Sequence, residues 1–440
     1  METTKHIHFI GIGGIGMSGL ARFWHHEGAV VTGSDRERGL VTEGLEALGI
    51  VIDYEQKGSI IYESKKLSGS DPLIQGSDPE SNSGSKQAID LVVYTEAMSK
   101  DHPEMVAARE LGVPMVNYFE ALGAAANEYY LIAVAGSHGK TTTTAMITDI
   151  LEEAGLDPTA IIGSLRSKTK SNFRAGKSKY AVVEACEYKR DFLHLKPDVL
   201  VITNIEYEHV DYYKDLADVQ SAFRELSEKV PEDGAIVANI TDPNITPVLA
   251  GLTTNIIDYR SQIDLNLKLR HPGMHNRMNA AAARTAAEFV GVETTKVNEA
   301  LEWFAGTWRR FEYKGEVSGA PVYDDYGHHP TELKATFAGV HELYPQHRLK
   351  VIFQAHMYSR THELFADFVN VLATADEVSL LPIYAAREDN VSGVSSEKLA
   401  AAIVEKGTPC TVYQTIPACA RAVKDSLSYA QKEVVLVIGA

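Results

Sequence analysis

The sequence predicts an α/β fold of three domains, each alternating strands and helices around a mainly parallel sheet. Three observations predict it. Gly11-Ile12-Gly13-Gly14-Ile15-Gly16 follows the short apolar run His6–Ile10 and precedes a helix-like stretch. A second glycine turn, Gly136-Ser137-His138-Gly139-Lys140-Thr141-Thr142, follows the apolar run Tyr129–Val134 and again precedes a helix-period stretch. Beyond Arg309, short β-rich runs alternate with helix-like ones. At about 150 residues per domain, a chain of 440 residues divides into about three, with expected bounds 1–127, 128–308 and 309–440.

The first domain reads as the strand His6–Ile10, the glycine turn, a helix over Met17–His26 and the strand Ala29–Thr32, ending in Ser34-Asp35. This is G-x-G-x-x-G in a Rossmann-like β-α-β unit. Such a turn lays a diphosphate over a helix N-terminus, and an acidic residue about 20 positions later meets a ribose. Gly13, Gly14, Ile15, Gly16, Ser34 and Asp35 are the candidate contacts. Taken alone the turn reads as nicotinamide binding, and plain tight turns share the pattern. A second unit follows in Leu91–Tyr94 and the helix-like Pro103–Leu111. Between them, residues 62–86 are rich in Ser, Gly, Asp and Lys. They bury too little apolar surface to offset their ordering entropy, so a flexible surface insertion is expected, with a substrate lid as the functional alternative.

The central domain opens on the second glycine turn. Glycines admit backbone N–H groups to phosphate oxygens, and the helix N-terminus adds unpaired donors and a positive dipole end. Gly136, Ser137, His138, Gly139, Lys140, Thr141 and Thr142 are therefore candidates for holding ATP, with Lys140 reaching the β/γ-phosphates and Thr141 a Mg²⁺ ion. The turn is shorter than a standard P-loop, with two residues rather than four between its glycines. Met146, Ile147, Ile150, Leu151 and Ala154 line one face of the following helix, and Gly155 stops it. The strands Tyr180–Val183 and Val199–Thr203 end in Glu184 and Glu187, then Asn204, Glu206, Glu208, His209 and Asp211. Ligands of parallel sheets sit outside the strands' carboxyl ends, so these groups are expected to face the phosphate turn. His209 alone reads as a surface histidine; with Glu184 on the same edge it suits a divalent metal bridging phosphoryl oxygens. Asn276 and Asn279, three apart before the helix Ala280–Val290, share a face on which an adenine edge can be bonded, a role compatible with capping by Asn276.

The third domain begins near Gly306–Phe311. Its expected strands are Val322–Asp324, Leu349–Phe353, Glu377–Leu381 and Val434–Ile438, and its expected helices Thr331–Leu343, Thr361–Leu372 and Glu397–Glu405. Two strand ends carry polar runs, Asp324 to Pro330 and Gln354 to Arg360. The pair His328-His329 lacks a Cys or third ligand at usual spacing, so no structural zinc is expected.

Composition narrows the function. Hydrophobic content of 45% and charged content of 23% are ordinary for globular protein. A net charge of −17 without a Lys/Arg run argues against nucleic acid or anionic membrane as partners. Cys186, Cys410 and Cys419 form no CxxC, which favours a reduced cytoplasmic setting. Met1–Ile10 enters a strand at once and offers no signal peptide. No apolar run approaches the ~20 residues of a membrane span.

Taken together, these segments resemble the Mur ligases, and among them the alanine-adding branch. The matching residues are Gly11 to Gly19, Gly33-Ser34-Asp35, Gly136 to Thr144, Glu184, Thr203 to Asp211 and His275-Asn276-Arg277-Met278-Asn279. Arg309-Arg310-Phe311, Asp324 to Glu332 and Phe353 to Thr361 complete the set. The resemblance implies a Rossmann-like N-terminal domain, a central P-loop ATP-binding domain and a doubly wound, Rossmann-like C-terminal domain. It implies ATP-dependent ligation of L-alanine to the lactyl carboxylate of UDP-N-acetylmuramate through an acyl phosphate, in peptidoglycan precursor synthesis. Thr141, Glu184 and His209 would hold the metal, and Asn276 and Asn279 the adenine. Arg310 and Asp325 would contact the nucleotide from the third domain. The first glycine turn would cradle the UDP diphosphate rather than NAD, with His328 a further substrate contact. His356 and Arg360 are the candidates for the muramoyl and alanine end. A monomer or homodimer is expected.

The chain departs from the family pattern in places. Thr253 to Arg270 is short, so a trimmed central domain is expected. Ser221-Ala222-Phe223 offers no counterpart of the carbamylated lysine of several Mur ligases, as suits the alanine branch. Glu184-Ala185-Cys186-Glu187 replaces a commoner Glu-Ala-Asp-Glu, which leaves the role of Glu187 open. Ala355 and Met357 stand where proline and arginine are usual, and the sequence stops at Ile438-Gly439-Ala440 where relatives continue, so an incomplete C-terminal domain is expected. Three alternatives stand beside the alanine ligase: a ligase recycling a preformed tripeptide, a reductase with NAD on the first turn, and a catalytically impaired nucleotide-binding homologue. Tyr326-Gly327 favours the alanine branch over the tripeptide one.

Overall fold

The computed structural model describes residues 4–66, 87–209, 212–386 and 388–439. Most of the expected insertion, residues 67–86, lies outside them. Its first residues instead close a helix, Ser59–Lys66, in which Ile61 and Ser64 are buried.

Three sheets carry the chain. The first joins β1 (His6–Ile10), β2 (Val30–Ser34), β3 (Val51–Asp53), β4 (Leu91–Tyr94) and β5 (Met115–Asn117) in the order β3-β2-β1-β4-β5, all parallel. The second joins β6 (Tyr130–Ala135), β7 (Thr159–Arg166), β8 (Ser171–Arg174), β9 (Tyr180–Glu184), β10 (Val199–Ile202), β11 (Ala235–Ala238) and β12 (Asn255–Asp258). Its order is β12-β11-β10-β6-β9-β7-β8, with only β8 antiparallel. The third, β13 (Glu312–Val317), β14 (Ala320–Asp325), β15 (Arg348–Gln354), β16 (Glu377–Leu380), β17 (Cys410–Val412) and β18 (Glu433–Gly439), runs β13-β14-β18-β15-β16-β17 with only the edge strand β13 antiparallel. The predicted three-domain α/β architecture is the observed one.

Burial explains why the central strands were legible. His6–Ile10, Val199–Ile202 and Ala235–Ala238 are buried throughout, as parallel strands covered on both faces must be. Each glycine turn leaves the end of such a strand, β1 or β6, and enters a helix, Ile15–His26 or Lys140–Glu153. The expected helix Thr361–Leu372 is two pieces, Tyr358–Glu363 and Phe365–Leu372. Leu364 leaves helical geometry at φ −98°, ψ 21° and re-aims the second piece, which buries Phe368, Val369, Val371 and Leu372.

The protein divides into two compact units, Met1–Ser261 with Ala282–Val297, and Gln262–Ala281 with Asn298–Ala440. Within the first unit one apolar cluster runs from Ile7, Phe9 and Leu20 of the first sheet to Leu131, Val183 and Leu200 of the second. The β7–β8 hairpin reaches across to the helix of the first glycine turn. Asn172 Nδ2 donates to Ile15 O and, at 2.9 Å, to Ser18 Oγ. Ile161 and Asn172 pack on Gly19 so closely that an added Cβ would lie 3.0 and 3.2 Å from them. At the other end, Asn127 Nδ2 donates to His194 O at 2.9 Å, and Lys196 N donates to Asn127 Oδ1 at 2.9 Å. These bonds fix the two glycine turns relative to each other.

In the second unit Leu333, Phe337, Leu349, Phe353, Phe368, Leu372 and Leu436 form the core. No helix among the described residues is long and apolar enough to cross a membrane.

His271 and His275 of the second unit are held neutral, their pKa lowered to about 4 by burial, with Arg270 adding to the effect at His271. Unfolded, each binds its proton near the ordinary 6.5, so between pH 6.5 and 4 the unfolded state takes up protons that the folded state refuses. Stability should be full above pH 6.5 and fall as the pH drops toward 4. Replacing both by Gln should flatten that part of a pH series of chemical denaturation curves.

Candidate active site

The phosphate turn is built against the end of β10. Gly136 has φ +133°, and a Cβ there would collide with Thr203 Oγ1 and sit 2.9 Å from Asn204 O, so only glycine fits. Gly139, at φ +85°, caps the helix Lys140–Glu153. Ser137 N donates to Asn204 O at 3.1 Å, His138 N to Asn204 Oδ1 at 2.9 Å, and Thr203 Oγ1 to His138 O at 2.6 Å. Glu206 N donates to Ser137 Oγ at 2.8 Å. Thr142 is half-buried in the first helical turn.

Lys140 is the centre of the arrangement. Its ammonium donates to Glu187 Oε2 at 2.9 Å and Oε1 at 3.1 Å, to Ser137 O at 3.1 Å, and to Gly136 O. Burial alone would depress its pKa, but the Glu187 carboxylate beside it drives the pKa up instead. Glu187 is only 2% exposed. Burial would push its carboxyl up, yet Lys140 and His209 hold it well below the usual carboxylate range.

Two sets of oxygen and nitrogen donors flank this pair. Thr141 Oγ1 donates to the Glu184 carboxylate at 2.9 and 3.0 Å, and Gly163 N donates to Glu184 Oε2 at 2.9 Å. His209 Nε2 lies 3.4 Å from Glu187 Oε1, and its ring stands 4.9 Å from that of Tyr188. One ligand atom each from Glu187, Glu208 and His209 falls within 4.8 Å of the others. Among the expected metal residues, Thr141 meets Glu184, whereas His209 meets Glu187. A hydroxyl, carboxylates and one imidazole are donors that fit a hard divalent cation sharing its shell with phosphate oxygens and water. Glu187 was visible in the sequence as a second acid three residues after Glu184. Its pairing with Lys140, 47 residues away, was not.

The first glycine turn is closed by its own neighbours. Gly11 N and Ile12 N both donate to Ser34 O at 2.9 Å, and Gly13 N donates to Asp35 Oδ2 at 2.7 Å. Gly14 precedes the helix Ile15–His26. Ser34 is buried and donates to Glu104, a buried acid from the helix Pro103–Leu111 that the sequence reading missed. Against Gly16 stands Tyr118, also missed.

In the second unit, Asp325 is buried and accepts from Phe311 N at 2.8 Å and Gly327 N at 2.9 Å; burial raises its pKa against the pull of Arg310. Arg310 lies over the Tyr326 ring, 5.3 Å from its centroid, and 4.0 Å from Glu332. His328 N donates to Glu332 Oε2 at 2.9 Å, and burial lowers the pKa of its ring to about 4. His356 stacks on Tyr384, with ring centroids 5.6 Å apart, and lies 6.2 Å from His328. Among the described residues, buried His356 Nδ1 and Arg360 Nη1 have no hydrogen-bond partner. Asn276 and Asn279 are buried on the helix Met274–Phe289, where Asn276 Nδ2 donates to Pro272 O at 2.8 Å.

Residues 6–130 match the family model described as Mur ligase family, catalytic domain, residues 134–260 the Mur ligase middle domain, and residues 309–440 the Mur ligase, glutamate ligase domain. A UDP-N-acetylmuramate–L-alanine ligase of Agathobacter rectalis is 40% identical over 430 residues, covering 91% of this chain and 88% of that protein. The chain belongs to the Mur ligase family. A second Mur ligase of the same name, from Caldanaerobacter subterraneus subsp. tengcongensis, is 37% identical and covers 100% of this chain and 96% of its own. The crystal structure of a UDP-N-acetylmuramate–alanine ligase from Thermotoga maritima superposes with a TM-score of 0.78 at 27% identity, covering 100% of this Mur ligase and 96% of that chain.

The Lys140–Glu187 pair makes a stability prediction. Lys140→Met strands a buried carboxylate and should cost about 3–5 kcal/mol of unfolding free energy. Adding Glu187→Gln should recover most of that loss in urea denaturation. A double variant whose loss equals the sum of the losses of the two single variants would show that the pair is not coupled.

Proposed function

We propose that this Mur ligase joins L-alanine to the lactyl carboxylate of UDP-N-acetylmuramate at the expense of ATP, in peptidoglycan precursor synthesis. The observation that carries the reading is Lys140, charged and fixed by Glu187 at the mouth of a glycine turn, with Thr141–Glu184 and His209 beside it. The names of the relatives supply the substrates.

The chemistry explains the parts. A lactyl carboxylate oxygen attacks the γ-phosphorus, the bond to the β-phosphate oxygen breaks, and ADP leaves. The alanine amine then attacks the acyl carbon, loses a proton, and expels inorganic phosphate. Two anions must approach in the first step, so positive charge has to be in place before they meet. Lys140, held charged by Glu187, is proposed to supply it. Thr141, Glu184 and His209 are proposed to hold Mg²⁺, which would neutralise phosphoryl charge as a Lewis acid. Gly136, Ser137, His138, Gly139 and Thr142 would cradle the phosphates, Asn276 and Asn279 the adenine, and Arg310 and Asp325 the nucleotide. Gly13, Gly14, Ile15, Gly16, Ser34 and Asp35 would hold UDP. His328 would add a substrate contact, and His356 and Arg360 would serve the muramoyl and alanine end; the unpartnered Arg360 Nη1 and His356 Nδ1 support that part. In this scheme 1–127 binds the UDP-sugar, 128–308 binds ATP and 309–440 completes the ligase, in a cytoplasmic monomer or homodimer.

The test is phosphate release from ATP and Mg²⁺ with UDP-N-acetylmuramate, with and without L-alanine, the product mass being checked. Alanine-dependent release and a product heavier by one alanyl residue are expected. Lys140→Met should lower turnover about 10²–10³-fold. Release that requires the tripeptide L-alanyl-γ-D-glutamyl-meso-diaminopimelate instead of L-alanine would replace this reading with the recycling ligase.

A further inference from the structure

Tyr118 stands against the end of the first glycine turn, at Gly16. It opens the helix Tyr118–Ala126, whose first turn is fixed reciprocally: Glu120 N donates to Asn117 Oδ1 at 2.9 Å, and Asn117 N donates to Glu120 Oε2 at 2.8 Å. The Phe119 ring packs edge-on against it, centroids 4.8 Å apart. So held, the phenol lies directly on Gly16, where an added Cβ would be 2.7 Å from Cζ and 2.8 Å from the hydroxyl oxygen. Among the described residues that hydroxyl has no hydrogen-bond partner.

The ends of the turn differ. The Gly13 end is marked by Asp35, whose carboxylate accepts from Gly13 N at 2.7 Å, and the Gly16 end by Tyr118. A nucleoside diphosphate laid along the turn with its ribose on Asp35 therefore presents its sugar substituent at Tyr118. On that side β7 runs from Ile161, packed on Gly19, to Gly163, whose N donates to Glu184 Oε2 at 2.9 Å, and a phenol is a neutral donor at ordinary pH. The lactyl carboxylate has to leave this end of the turn to reach Lys140.

We propose that Tyr118 is a substrate-positioning residue, its hydroxyl donating to an oxygen of the muramoyl–lactyl unit and turning the carboxylate toward the phosphate turn. This deepens the ligase reading and rests on it. A neutral donor suits the task, since a second cation would compete with Lys140 for the carboxylate.

Tyr118→Phe keeps the ring and removes only the donor. Calorimetric titrations of the full chain with UDP-N-acetylmuramate and with UDP, together with steady-state rates, test the role. The variant should bind UDP-N-acetylmuramate roughly tenfold more weakly and raise its KM to match, while UDP affinity, the KM for ATP and the melting temperature stay within about twofold or unchanged. Unaltered UDP-N-acetylmuramate binding would overturn the proposal. So would an equal loss for UDP, which would make Tyr118 a prop of the glycine turn. A wild-type chain that binds UDP but does not bind UDP-N-acetylmuramate would overturn the ligase reading, and this role with it.

Discussion

A carboxylate buried under the phosphate turn holds the cation on which the site depends. Glu187 is almost wholly removed from water, and its charge persists because Lys140 lies 2.9 Å away. The reverse also holds: a buried ammonium would shed its proton without such a partner. A buried ion pair seldom adds stability, because desolvating two charges consumes most of the attraction between them. What this one does is keep Lys140 charged and fixed beside the turn; in the proposed reaction that charge is present before any phosphate arrives. Preorganised charge of that kind needs no rearrangement as two anions are brought together.

The second constraint is distance. An acyl phosphate forms only if the carboxylate of one ligand and the γ-phosphate of another are held in register. In this chain the two glycine turns belong to different sheets but to one core, and Asn172 ties the hairpin of the second sheet to the helix of the first turn. Gly19 and Gly123 are small where packing across this seam is close, against Ile161 and His194. The rigidity that a bisubstrate reaction demands is thus built from side chains remote from any reacting atom.

Much of the fold was legible because its signals are local. Strands covered on both faces are continuous apolar runs, and glycine turns between strand and helix punctuate them. Leu91–Tyr94 and Pro103–Leu111 are observed at their expected bounds. Elements with weaker local signals escaped: the edge strand β8 reads Ser-Asn-Phe-Arg because it pairs with β7 on one side only and so carries no continuous apolar run. The break at Leu364 escaped too, since no Gly or Pro marks it. At the site, each glycine turn and the polar strand ends could be read from spacing. The pairings of Lys140 with Glu187, Ser34 with Glu104 and Gly16 with Tyr118 could not, because they join residues 47 to 102 positions apart in contacts that have no period.

The central claim is that Lys140 and the donors around it bring a carboxylate to a phosphoryl group, so that an oxygen atom passes from one to the other. The direct measurement is turnover of UDP-N-acetylmuramate carrying isotopically heavy oxygen in its lactyl carboxylate, with ATP and L-alanine, followed by mass analysis of the released phosphate. The account predicts that each phosphate formed from doubly labelled carboxylate carries one heavy oxygen. Unlabelled phosphate released alongside alanylated product would contradict it, because the amide would then have formed without an acyl phosphate.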